Sequence, residues 1–89
     1  GWYYKGWAYH DLKRYRDAIE CYDKALQIKS NHNESLAFKG EALYELGRYN
    51  DAIIWFDKAL ANNPNYAHAK KFRDMALTKQ KNNEGSSNS

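Results

Sequence analysis

Proline occurs once in this chain, at Pro64, and cysteine once, at Cys21. A single thiol closes no internal disulfide, so the chain is not a small scaffold stapled by bridges; the thiol fits a reducing, cytoplasmic compartment. No apolar run approaches the ~20 residues that a membrane-spanning helix requires, and no membrane partner is implied. No signal peptide opens the chain. The five glycines are isolated, which leaves no glycine-rich loop to cradle a phosphate. The 14 basic and 11 acidic side chains leave a net charge of only +3, without the basic stripe of a nucleic-acid binder. At 89 residues the chain is shorter than most domains, which run to roughly 100–200, and has little room for catalytic apparatus. It starts at Gly1, without methionine, inside a helix-like stretch, and reads as a fragment of a longer protein.

The metal and nucleophile readings are as poor. His10, His32 and His68 lie far apart in sequence and lack the helix-face spacing of a ligand pair, and Cys21 has no second cysteine to work with. Cys21 reads as a partly buried helix residue rather than a nucleophile, because no nearby histidine is implied. No cofactor is called for, and the chain is read as non-catalytic.

Abundant here are aromatics, at 16%, together with the Ala, Leu, Lys and Glu that favour helices. They are arranged in a repeat. Displaced by 34 residues, the chain aligns with itself: Gly6 falls on Gly40, Leu12 on Leu46, Asp17-Ala18-Ile19 on Asp51-Ala52-Ile53, and Asp23-Lys24-Ala25-Leu26 on Asp57-Lys58-Ala59-Leu60. Of the 32 pairs joining residues 1–32 to 35–66, 14 are identical. A weaker third register puts Phe38 on Phe72 and Ala42 on Ala76.

Each unit holds two helical patterns. Leu36, Gly40 and Leu43 make one helix face; Ala52, Ile53, Phe56, Ala59 and Leu60 make the stripe of the next. Gly47 sits where a helix ends in a left-handed residue. Asn62-Asn63-Pro64-Asn65 stops the following helix. The same periodicity predicts helices near 1–12, 16–29, 33–46, 50–62 and 66–80. Asn31 followed by Glu34 predicts a helix-start box. The polar stretch 82–89 predicts a disordered tail. Gly6 and Gly40 cost helix stability and repay it if the partner helix comes close, with Ala18 and Ala52 as the predicted contacts.

A helix–turn–helix unit of this length with this pattern resembles the tetratricopeptide repeat. Leu36, Gly40, Leu43, Ala52, Phe56, Ala59 and Pro64 carry the pattern in one unit; Trp2, Gly6, Tyr9, Ala18, Tyr22 and Ala25 carry it in the other. Ser30 stands in place of the first unit's proline and Lys13 in place of its turn glycine, departures expected to loosen those turns. The resemblance implies an all-α solenoid of antiparallel helix pairs in a right-handed superhelix. Its parts are a truncated first unit over 1–32, a second over 33–66, a capping helix over 67–81 and the tail over 82–89.

The resemblance also implies that the first helices of successive units line a concave groove that receives peptide ligands. The residues in that register are Tyr4, Trp7 and Asp11, then Phe38, Glu41 and Glu45, then Phe72, Met75 and Lys79. With Tyr3 and Glu34 they describe an aromatic floor with an acidic rim. The partner expected is a protein or peptide segment with apolar anchors and basic flanks, since aromatics anchor interfaces at low entropic cost. Packing between neighbouring helices is the competing reading for Phe38 and Phe72. The family members that clamp a chaperone's C-terminal carboxylate do so with Lys and Asn; Tyr3, Trp7, Phe38, His68 and Phe72 occupy the matching positions, which argues against that activity. Two further readings remain: homo-oligomerisation through repeat ends bearing Trp2 and Tyr9, and nucleic-acid binding through Lys70, Lys71, Arg73, Lys79 and Lys81 of the last helix.

Overall fold

A computed structural model describes residues 1–87. Among the described residues the chain forms five helices: α1 (Trp2–Asp11), α2 (Tyr15–Ile28), α3 (Asn33–Glu45), α4 (Tyr49–Asn62) and α5 (Ala67–Ser87). They build an all-α solenoid of antiparallel helix pairs. Each helix packs on the next, α1 also touches α3, and α3 also touches α5. Among the described residues the backbones of α2 and α4 do not approach each other closely. The odd-numbered helices therefore sit on the crowded inner side of the stack and the even-numbered ones fan apart on the outer side.

The core repeats with the sequence. Ala18, Tyr22, Ala52, Phe56 and Ala59 are fully buried, and Ala52, Phe56 and Ala59 form one cluster with Leu36, Ala37, Leu43, Ala69 and Ala76 that reaches α5. The close approach at the helix glycines falls one turn beyond the alanines expected to make it. A Cβ on Gly6 would lie 2.7 Å from Tyr22 Cε1, and one on Gly40 2.6 Å from Phe56 Cε1. The large ring of the second helix, not its small residue, thus demands glycine on the first.

The turns α1–α2 and α3–α4 are the same structure. Arg48 N–H donates to Leu43 O and Gly47 N–H to Tyr44 O, at 2.9 Å each; Arg14 N–H donates to Tyr9 O and Lys13 N–H to His10 O, also at 2.9 Å. Both are Schellman closures with the left-handed residue at Gly47 (φ 80°) or Lys13 (φ 60°). Lys13 does not loosen its turn; it accepts a conformation that costs an L-residue energy. The Arg14 guanidinium stacks 4.9 Å from the Tyr9 ring centroid, replacing the apolar contact that usually accompanies this closure. Ser30 is equally harmless. The C-caps Lys29 and Asn63 adopt nearly identical extended backbones, with φ/ψ of −140°/100° and −144°/93°.

Two other expectations are corrected. The α3 start is capped by His32, whose Nδ1 accepts from Ser35 N–H at 3.2 Å and sits 2.7 Å from Ser35 Oγ, rather than by an Asn31–Glu34 box. The fully buried hydroxyl of Ser35 thereby finds its partner. At the other end, α5 continues past 81 into the stretch expected to be a disordered tail, through Ser87. No proline interrupts residues 80–87, and a helix once nucleated gains a hydrogen bond for each residue it adds. Residues 88 and 89 lie outside the described residues.

Candidate partner-binding face

The inner face is formed by α1, α3 and α5. Its centre is α3, and at its centre is Glu41, whose side chain is only 14% exposed. One carboxylate oxygen meets Nε2 of His10 from α1, and the other lies 3.4 Å from Nε2 of His68 from α5. A carboxylate only accepts, so His10 Nε2 carries a proton towards Glu41, and the other ring nitrogen, Nδ1, lies 3.2 Å from the Tyr22 hydroxyl. Burial pushes the Tyr22 hydroxyl well above the usual tyrosine range, which keeps it a donor. His68 behaves differently. Its Nε2 is buried and makes no hydrogen bond. Burial holds its pKa below the ordinary histidine value, with His10 and Lys71 acting in the same direction and Glu41 opposing.

Around this polar centre the rings close up. Phe38 lies 4.8 Å, centroid to centroid, from His68 and 6.0 Å from Tyr3; His68 is 4.8 Å from Phe72. Phe72 packs in turn on Tyr44 and Phe56. Tyr3 joins α1 to the start of α3 through His32, 5.2 Å away. Its hydroxyl is pushed up to about 12, first by burial and then by Tyr66, Glu34 and Tyr4.

The residues singled out from the sequence thus divide into two groups. Tyr3, Phe38, Glu41 and Phe72 are half-buried and hold the odd-numbered helices together. Tyr4, at 69% exposure, and Trp7, at 47%, are open to solvent, as are Asp11, Glu34 and Glu45. Glu34 contributes to the His32 cap region at 3.3 Å from Nε2. His68 was placed on this face only through its match to the family's clamp position, and His10 was not placed there at all. A signal existed: His10 lies one turn after Trp7 on α1, and His68 two turns before Met75 on α5, so each shares a helix side with a member of the Trp7–Glu41–Met75 column.

Among the described residues no group of three or more His, Cys, Asp or Glu is arranged to hold a metal ion. Cys21 is buried and unpaired, and burial raises its thiol pKa, the reverse of nucleophile activation. On the outer side of α5, Arg73 is tied to Asp57 at 2.5 Å, which takes it out of the basic stretch; Lys70, Lys71, Lys79 and Lys81 are exposed. Among the described residues no helix is long and apolar enough to cross a membrane.

Paired helices, a crowded inner side and a 34-residue period define a helical-repeat solenoid. Tetratricopeptide repeat profiles match residues 1–32 and 34–66, and the chain belongs to the tetratricopeptide repeat family, whose repeats serve in general as protein–protein interaction modules. A search of the curated proteins finds no match.

Proposed function

We propose that the chain is a non-catalytic interaction module that holds a partner segment across α1, α3 and α5. The observation that carries this reading is the exposure of Trp7 in the register that α3 fills with the enclosed Glu41. Packing among the described residues leaves that tryptophan half-exposed. Tyr4 adds a second open aromatic on the same helix, and both offer contact area with few rotamers to freeze. Asp11, Glu34 and Glu45 supply exposed negative charge around them. The partner class that fits is a peptide with apolar or aromatic anchors flanked by Lys or Arg, steered by the local charge although the whole chain is slightly basic.

The test is a titration of the labelled chain with peptides that share an aromatic anchor and carry either basic or acidic flanks. Amide shifts on α1, α3 and α5, tighter binding of the basic-flanked peptide and its loss in Trp7→Ala are the expected outcome. Shifts confined to α2 and α4 would sink the proposal.

A further inference from the structure

Glu41 is one carboxylate shared between the two helices that flank α3, and its two sides are unequal. Its Oε2 meets Nε2 of His10, whereas its Oε1 lies 3.4 Å from Nε2 of His68 without a hydrogen bond. Among the described residues, that nitrogen is the buried side-chain polar atom left without a partner. Such atoms are uncommon, because burial forfeits the hydrogen bond that water supplied. Here the missing element is one proton. A doubly protonated imidazole carries a donor at each nitrogen, whichever one the neutral ring uses. A proton gained by His68 therefore completes a charge-assisted hydrogen bond to Glu41. The rings of Phe38 and Phe72 lie 4.8 Å from His68 at interplanar angles of 30° and 45°, close enough to favour a cation between them.

The groups that face His68 decide when that proton enters. Glu41 of α3 favours it; burial opposes it, as do His10 of α1 and Lys71 of α5 itself. The Tyr22 hydroxyl of α2 reaches the cluster only through His10, and the Tyr66 ring lies 6.2 Å from His68. On α4, Asp57 is tied to Arg73. Burial thus keeps the proton off near neutral pH and admits it under mild acid.

With both rings neutral, the cluster places one negative charge at the centre of the aromatic floor. One proton on His68 cancels it. We propose that the inner face is a proton-linked binding surface, on which a basic partner segment and a proton at His68 Nε2 exclude each other. This inference rests on the reading of the inner face as the partner site. The Glu41 side chain is only 14% exposed, so the partner's cation lies over the cluster rather than within it, and a partly buried charge is felt there with little screening by salt. Linkage makes the effect reciprocal: mild acid releases the segment, and the bound segment holds the proton off His68.

The probes are two histidine-free peptides with the same aromatic anchor, one flanked by Lys and Arg, the other by Asp and Glu. Their affinities are measured at about pH 7.5 and about pH 5.5, on either side of the ordinary histidine range, with the fold checked by circular dichroism at each. The basic-flanked peptide is expected to bind about fivefold or more weakly at the lower pH, and the acidic-flanked peptide not to weaken. His68→Gln is expected to remove most of that dependence, and Glu41→Gln to weaken the basic-flanked peptide already at the higher pH. The His68 ring resonances, followed against pH, are expected to show a lower midpoint when the basic-flanked peptide is bound. An unchanged midpoint, equal weakening of both peptides, or the parent's pH dependence persisting in His68→Gln would overturn the inference while leaving the partner site intact. Binding of neither peptide at either pH would overturn the partner reading, and this inference with it.

Discussion

Gly40 faces the ring of Phe56 at a distance no side chain can share. A Cβ there would come within 2.6 Å of Cε1, 2.8 Å of Cδ1 and 3.0 Å of Cζ. Phe56 is fully buried and cannot swing aside. Gly40→Ala is therefore expected to destabilise the fold by about 1–3 kcal/mol, despite the better helix propensity of alanine. In a chain of this size that lowers the melting temperature by roughly 4–8 °C per kcal/mol. Phe56→Leu should recover part of the loss in the double variant; calorimetric melts of the four proteins of the cycle measure that coupling.

Lys13 and Gly47 offer a matched pair of turn substitutions. Lys13→Gly relieves a left-handed lysine and should gain up to about 1 kcal/mol, net of the extra freedom glycine has when unfolded. Gly47→Ala imposes the strain that Lys13 now bears and should lose about 1 kcal/mol. Neither position packs against the core, and a Cβ on Gly47 would meet nothing within 4 Å, so the effect is purely conformational. Urea melts with unchanged slopes would confirm it.

His68 sets an acid-side dependence. Its pKa is lowered in the folded chain, so between the ordinary histidine value and that lower one the unfolded state binds more protons. Stability contributed by this group is present above about pH 6.5 and is lost as pH falls below it. His68→Gln should flatten the fall in melting temperature on the acid side. A parallel curve for parent and variant would show that the ring is indifferent.

Tyr3 sets the alkaline counterpart. With its pKa raised to about 12, it keeps its proton where unfolded tyrosine begins to lose it, near pH 10. Stability is expected to fall as pH rises from about 10 towards 12, and Tyr3→Phe to reduce that fall. Phenolate absorbance against pH, paired with melts, checks both halves.

Lys39 is held from two sides, by the Asp23 carboxylate and by the Trp55 ring, with its side chain only 12% exposed. Double-mutant cycles of Lys39→Met with Asp23→Asn and with Trp55→Leu are expected to give couplings of about 0.5–1 kcal/mol each, resistant to added salt.

The repeat made the fold readable. Once Gly6, Ala18, Tyr22 and Ala25 align with Gly40, Ala52, Phe56 and Ala59, helix pairing and core follow from a local pattern copied twice. Two details escaped for related reasons. A close approach depends on ring direction, which sequence spacing does not encode, so the partners of Gly6 and Gly40 were misplaced by one turn. The end of α5 depends on how far a nucleated helix propagates through polar residues, where composition alone suggested coil. The inner face was half legible. The 34-residue register marked Phe38, Glu41 and Phe72, and the family's clamp positions included His68, but His10 stands in the register of Tyr44, and only the meeting of α1, α3 and α5 in space brings both histidines onto Glu41.

Among the described residues, every contact between helices joins neighbours or next-nearest neighbours in the chain. No long loop has to close before such contacts form, and low contact order makes for fast folding, in the microsecond-to-millisecond range of helical proteins. Nucleation is free to start in either unit and spread outward, with end helices the first to peel away. Glu41 modifies that picture. By touching His10 on α1 and His68 on α5, it lets the two ends of the array report on each other through one carboxylate, so fraying at one end is felt at the other.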